Sequence, residues 1–355
     1  MSGAYQRLAG RSRTTDEFND LANRLLGELN ASHLGVYGPR ETPENTQPYG
    51  YLGIRDRRVE DGYEVTHVIP ESPAARGEMA LAVGDVITEV QFKPFSDADT
   101  VRSMLHGRVN KETAFTIRRA IQDQPRTIHV LLTPIGFNDL RDLRYREWRL
   151  DNLRKVEKMS NGRLGYIHIR AMNEPSLEIF ERDLFAATEG RDGLIIDVRN
   201  NGGGWTTDRL LASIMAPRHA YTVPRGGDPS KKNAYPRDRL FIQRYILPIN
   251  TLCNEKSFSN AEIFSHAFKT LRRGTLVGAT TNGGVISTGG FRLIDGTFVR
   301  LPFRGWYLTD DTDMENHGAV PDVLVPQTPW AESHDEDEQL EAAVEDLMKR
   351  IQGGS

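Results

Sequence analysis

The run Gly193-Leu194-Ile195-Ile196-Asp197-Val198 leads through Arg199-Asn200-Asn201 into three consecutive glycines, Gly202, Gly203 and Gly204. A short apolar run without alternation reads as a strand buried on both faces, which demands helices above and below it and so an α/β layering. Glycines carry no Cβ, so three in a row let backbone N–H groups face a ligand closely, as an oxyanion or anion hole requires. The same residues equally make a tight strand-to-helix turn. A second run of this kind, Leu164-Gly165-Tyr166-Ile167-His168-Ile169, extends the α/β texture over residues 136–330.

With 355 residues the chain exceeds one ordinary domain. Residues 1–46 read as a helical segment. Phe18, Leu21, Ala22, Leu25, Leu26 and Leu29 recur at helical spacing from Thr15 to Leu34, ahead of Asn30-Ala31-Ser32-His33. Such a helix has nothing of its own to pack on and must dock on something later. Gly38-Pro39-Arg40-Glu41-Thr42-Pro43 reads as a linker. Residues 47–135 show short alternating strands such as Tyr63–Ile69 and Phe115–Arg119. Residues 331–355 begin acidic and continue as an amphipathic helix through Leu340, Ala343, Val344 and Leu347, read as solvated or subunit-contacting.

The charge balance, 45 basic against 49 acidic residues with the two signs interspersed, shows no basic stripe for nucleic acid. One cysteine, Cys253, excludes an internal disulfide framework and a multi-cysteine zinc site. No window approaches the ~18–20 apolar residues that cross a bilayer, and the opening residues lack the apolar core of a signal peptide. The expectation is a soluble cytoplasmic protein with no membrane partner.

Two further stretches carry chemistry. In Asn254-Glu255-Lys256-Ser257-Phe258-Ser259-Asn260-Ala261-Glu262 an apolar helix starts just after the serines. A serine there gains from the positive helix end, and the next N–H can hold an oxyanion; the alternative role is an ordinary N-cap. Asp313-Met314-Glu315-Asn316-His317-Gly318-Ala319-Val320-Pro321-Asp322, after the aromatic strand Gly305-Trp306-Tyr307-Leu308, is by itself a surface loop.

Tyr51-Leu52-Gly53-Ile54, the Ser72-Pro73-Ala74-Ala75 turn, Gly84-Asp85-Val86-Ile87 and a helix around Ala98 to Leu105 resemble a PDZ domain, whose loop N–H groups hold peptide C-termini. The order of the strand Gly162–His168, the Asp197–Gly204 segment, the Ser257–Glu262 helix start, Val277-Gly278 and Glu315–Asp322 resembles the carboxyl-terminal processing and tricorn protease superfamily. That resemblance implies an α/β multidomain chain: N-terminal helix, PDZ-like β-rich domain, then an α/β crotonase-like serine peptidase domain.

The superfamily deprotonates its serine in two ways. Processing proteases place a lysine 25 residues after the nucleophile; here that position is Gly284, and no lysine follows Lys269 within the domain. A serine hydroxyl then needs another base. The tricorn branch supplies a histidine preceded by serine from before the PDZ domain, and Ser32-His33 fits. The resemblance implies Ser259 as nucleophile, His33 as base, Glu315 as orienter with Ser32 hydrogen-bonding near it, and Gly202, Gly203, Gly204 and the Asn260 N–H as oxyanion hole. His317 is the rival base, and His168 and His266 read as packing or surface residues. The resemblance further implies peptide substrates, no metal or organic cofactor, and a homo-oligomer, hexameric in the family. Specificity residues fall in the loop-rich stretch from Ala216 to Pro236. Two alternatives stay open: a PDZ-type peptide-binding protein without turnover, and a Ser-Lys protease using Lys256 or Lys269.

Overall fold

A computed structural model describes residues 2–39, 47–77, 79–122, 124–215, 228 and 244–353. The chain divides into two compact units, one formed by Met1–Arg40 with Asn152–Ser355, the other by Glu41–Asp151.

The chain opens with helices α1 (Ser2–Ala9) and α2 (Thr15–Gly27), the second capped by Thr14, whose hydroxyl accepts the Glu17 N–H at 3.1 Å. The helix expected as far as Leu34 stops at Gly27. Asn30 and His33 take positive φ (48° and 61°), so Ser32-His33 sits in the turn that enters strand β1 (Gly35–Tyr37). Docking uses only part of the apolar stripe: Phe18, Leu25 and Leu29 are exposed, while Leu21, Ala22 and Leu26 are partly buried. Asn23 instead brackets Val36, donating to its carbonyl (3.0 Å) and accepting from its N–H (2.7 Å), and β1 joins a later hairpin.

In the second unit, strands β2 (Ile54–Val59), β3 (Gly62–Val68), β4 (Val86–Val90), β5 (Lys93–Pro94), β6 (Thr113–Ile121) and β7 (Gln124–Leu132), with the short helix α3 (Val101–Met104), form an antiparallel sheet. Its order is β2-β3-β4-β6-β7 with β5 on β4, which leaves β2 at an edge. The core is Leu52, Val65, Ile87, Leu105, Phe115 and Ile117. Asp85 explains the Gly-Asp-Val-Ile signal: nearly buried, it accepts the Ala82 N–H (2.7 Å) and a two-point contact from Arg119 (2.8 and 2.6 Å).

Helix α4 (Phe137–Met159) begins in that unit. After it come β8 (Leu164–His168), α5 (Glu174–Ala186), β9 (Gly193–Asp197), α6 (Thr207–Ile214), β10 (Ile249–Cys253), α7 (Asn260–Thr270), β11 (Gly274–Gly278), β12 (Ser287–Arg292), β13 (Phe298–Arg304), β14 (Val323–Leu324), α8 (Pro329–Ser333) and α9 (Glu338–Gly353). Five strands make a parallel sheet of order β14-β11-β10-β9-β8. Side chains alternate across it. Leu194 and Ile196 face Phe180, Leu210 and Phe264, while Ile195 faces Leu164, Val156 and the helix α9 residues Leu340, Ala343, Val344 and Leu347. The C-terminal helix read as solvated is therefore core: a parallel sheet needs cover on both faces, and α9 supplies the second.

Hairpin β12–β13 pairs antiparallel, with β1 on the far side of β13. The aromatic stretch Gly305–Leu308 is no strand and makes one bridge, Tyr307 to Asp313. Its Trp306 instead packs with Ile263, Val285 and Met314 and donates its ring N–H to Ser287 Oγ at 2.8 Å.

Candidate active site

Strand β10 delivers Cys253 to a turn that ends in Ser259, and α7 starts at the next residue. Ser259 takes φ 57° and ψ −122°, a conformation that a residue with a Cβ rarely adopts and that surrounding contacts must enforce. They are present: Ser257 donates to the Val198 carbonyl at 2.8 Å, and the Phe258 N–H donates to the Asn201 carbonyl at 2.9 Å. The turn is thereby pinned to the loop leaving β9. The Ser259 hydroxyl makes no cap hydrogen bond. The Glu262 N–H goes to the Ser259 carbonyl at 2.9 Å instead.

The glycines lie against this turn. A Cβ on Gly203 (φ 89°) would fall 2.6 Å from Ser259 Cβ and 2.8 Å from the Asn260 nitrogen, and one on Gly204 would meet the Met172 carbonyl, so neither position admits a side chain. The three N–H groups differ. That of Gly203 is already given to Asn201 Oδ1 at 2.9 Å. Those of Gly202, Gly204 and Asn260 donate to nothing among the described residues. The Ser259 N–H is also taken, by Glu262 Oε1 at 3.1 Å. Asn260 uses its side chain and carbonyl to hold Thr207 (3.0 and 2.7 Å).

The second half of the site comes from far away in sequence. The His33 ring stacks on Phe258, the residue before Ser259, with centroids 4.5 Å apart and planes 20° apart. His33 Nδ1 lies 2.8 Å from Ser32 Oγ, and the Ser32 N–H donates to Glu315 Oε1 at 2.5 Å across 283 residues of sequence. Glu315 Oε2 accepts the N–H groups of Val285 and Ile286, each at 2.9 Å. Asn316 reaches back to the Asn30 carbonyl at 3.1 Å, closing the turn that carries Ser32. His33 and the Ser259 hydroxyl are not hydrogen-bonded to each other.

Burial pushes the His33 pKa down, the Arg300 charge pushes it the same way, and Glu315 pulls in the opposite direction; the result lies below the ordinary histidine value. Burial raises the Glu315 carboxyl, but the backbone N–H groups of Ser32 and Val285, the Ser32 side chain and the Ile286 N–H outweigh it and hold the group low. Glu315 is thus an anion at neutral pH, 7 % exposed, and reaches His33 only through Ser32, whose Oγ lies on Nδ1.

Of the rival groups, His317 and Lys269 have hydrogen-bond partners of their own. His317 Nδ1 contacts the Glu315 carbonyl (2.9 Å), and its own carbonyl takes His266 Nε2 (3.2 Å). His168 is buried against the Arg199 carbonyl. Lys269 donates to the Val320 carbonyl (2.8 Å) and pairs with Asp322, and Lys256 is exposed. At Gly284, where processing proteases have lysine, a Cβ would collide with the Phe258 ring and fall 3.1 Å from Ser32 Cβ. The room for a lysine is filled by the ring that supports His33. Gly284→Lys is therefore expected to displace Phe258 and lower activity about 10²-fold without creating a lysine base; peptide hydrolysis against pH measures both.

Sequence reading did not single out Phe258 or Glu262. The signal for Glu262 was present as Ser-x-x-Glu ahead of an apolar run, the pattern of a capping box. The expected specificity stretch, Ala216 to Pro236, lies outside the described residues apart from Asp228.

Residues 163–325 match peptidase family S41, and residues 50–132 match the PDZ domain. The chain is 32% identical over 351 residues to tricorn protease homolog 1 of Streptomyces coelicolor, covering 96% of this chain and 32% of that one. To tricorn protease of Thermoplasma acidophilum it is 37% identical over 358 residues, covering 98% and 32%. The crystal structure of the tricorn protease superposes with a TM-score of 0.83 at 26% identity, over 99% of this chain and 34% of that one. The chain carries a PDZ domain followed by a peptidase family S41 domain. The chain spans about a third of the length of the curated relatives it matches. Among its described residues no helix is long and apolar enough to cross a membrane.

Proposed function

We propose that the chain is a serine peptidase in which Ser259 attacks the peptide carbonyl and His33 takes its proton. The observation that carries this is the His33 ring stacked on Phe258 beside the strained Ser259, with Nδ1 on Ser32 and Ser32 on Glu315. With Nδ1–H donated to Ser32 Oγ, the proton-free Nε2 is the base; the Glu315 anion favours the imidazolium that forms and fixes the tautomer. The partnerless N–H groups of Asn260 and of Gly202 or Gly204 hold the oxyanion of the tetrahedral intermediate. His33 then returns the proton to the leaving amine and activates water for deacylation.

The reading is tested with a fluorophosphonate probe, which is expected to form an adduct at Ser259, located by mass spectrometry. An unlabelled, folded sample favours the binding-only alternative. The pH dependence follows from the environment of His33. Only the neutral imidazole accepts a proton, so kcat/KM falls as pH drops through a midpoint below the ordinary value near 6.5. Arg300→Gln removes a charge that lowers this pKa and is expected to move the acid limb upward; an unmoved limb assigns the titration to another group.

Short peptides are the substrates of this reading. The edge strand β2 and the loop before it, where the Leu52 and Gly53 N–H groups donate to nothing among the described residues, suit a peptide C-terminus added as a strand. Family resemblance supports a homo-oligomeric, hexameric assembly, and the buried free Cys253 is in keeping with a cytoplasmic setting.

A further inference from the structure

Residues 283–286 form no regular strand, yet they donate consecutive backbone N–H groups to two carboxylates. Gly283 and Gly284 donate to Glu262 (the second at 2.8 Å), and Val285 and Ile286 donate to Glu315 (2.9 Å each). Each carboxylate holds one half of the site with its remaining capacity. Glu262 Oε1 accepts the Ser259 N–H at 3.1 Å, and Glu315 Oε1 accepts the Ser32 N–H at 2.5 Å. Glu262 Oε2 also accepts the Thr281 hydroxyl at 2.7 Å, and Thr281 Oγ in turn accepts the Ala319 N–H at 2.8 Å. The segment is a strap with the nucleophile tied to one end and the base to the other.

Helix capping accounts for only one contact of Glu262, the one with the Ser259 N–H. A capping-box glutamate satisfies the N-cap N–H from the surface, where it keeps its hydration. Glu262 is 0% exposed and accepts three backbone N–H groups and the Thr281 hydroxyl. Burying such a group is costly unless hydrogen-bond donors satisfy it. Here they belong to the Ser259 turn and to the strap. His33 has no hydrogen bond to Ser259, so its register with the hydroxyl is set by the Phe258 stack together with this indirect connection.

We propose that Glu262 is a positioning residue for the reaction: through the strap and Glu315 it sets the distance between the Ser259 hydroxyl and the His33 imidazole. The proposal rests on the serine peptidase reading given above. It predicts a loss confined to the proton-transfer step, since the groups facing substrate are untouched.

The experiment compares Glu262→Gln with the parent chain by fluorophosphonate labelling rate and by peptide hydrolysis, each also in the His33→Ala background. Glutamine keeps the volume but turns an NH₂ toward N–H donors. Glu262→Gln is expected to lower the labelling rate and kcat about 10²-fold with KM unchanged. In His33→Ala it changes the residual labelling rate little, because no base remains to be placed. Equal losses in both backgrounds, or a Glu262→Gln chain as fast as the parent, overturn the proposal. Should Glu262→Gln not fold, Thr281→Val against Thr281→Ser decides: the serine variant keeps the hydroxyl and is expected to retain the rate that the valine variant loses, and equal rates overturn it. A folded parent that takes no label at Ser259 overturns the peptidase reading itself, whereas a labelled parent with an equally fast Glu262→Gln removes only the role of Glu262.

Discussion

Ser259→Ala is expected to lower peptide hydrolysis about 10⁴-fold or more and to abolish fluorophosphonate labelling, with thermal stability unchanged. The stability half of this expectation follows from the geometry. The Ser259 hydroxyl makes no cap hydrogen bond, so its removal frees no helix end, and alanine bears the same φ of 57° at the same cost. The activity half follows from the proposed mechanism, in which Ser259, held against the glycine loop, is the nucleophile. His33→Ala is expected to lose activity by a similar factor, and the double variant to be no worse than either single one, because in the proposed mechanism nucleophile and base act as a unit. Active-site titration with steady-state kinetics on a short fluorogenic peptide provides the check. A His33→Ala chain that hydrolyses peptide like the parent refutes the assignment of the base, and additive losses refute the pairing.

Arg199→Ala is expected to cost about 3–5 kcal/mol of stability, the range for removing one partner of a buried ion pair. Arg199 is 6% exposed and joins two elements: it contacts Asp197 through Nε and Nη2 (2.7 Å at the shortest) and Asp337, at the entry to α9, through Nη1 at 2.7 Å. Asp197 is 0% exposed and also accepts the Tyr166 hydroxyl at 2.9 Å. Without Arg199, a carboxylate inside the sheet loses its counter-charge and the entry to α9 loses its ionic link to β9. Burial raises the Asp197 carboxyl, but Arg199 and then His168 pull it down, and the net is below the ordinary carboxylate value. A depressed folded pKa means that this stabilisation is complete above about pH 4 and is lost as pH falls through the depressed value. Equilibrium denaturation of the parent and Arg199→Ala at neutral and acid pH is expected to show a gap that narrows as the solution is acidified. A gap independent of pH would assign the loss to packing. Asn200–Gly204 follows Arg199 directly, so the variant is also expected to label more slowly at Ser259.

The parallel sheet was legible because its strands are buried on both faces, and that leaves unbroken apolar runs at Leu164–Ile169 and Gly193–Val198. The Ser259 turn and the lack of a lysine at Gly284 were legible as plain residue identities. The three-dimensional fold decided what lies between distant residues. Only tertiary packing assigned α9 to the core, since an amphipathic stripe records that a face is covered and not by what. Only the fold showed that Gly203 spends its N–H on Asn201 while Asn260 keeps its own. The strap that joins Glu262 to Glu315 uses backbone N–H groups, which every residue but proline owns, so no residue type marks it. Local sequence records the periodicity of burial and the conformational freedom of single residues. The juxtaposition of Ser32-His33 with Ser259 and Glu315 depends on hydrogen bonds across hundreds of residues, and those come into being only when the sheet and its hairpin have formed.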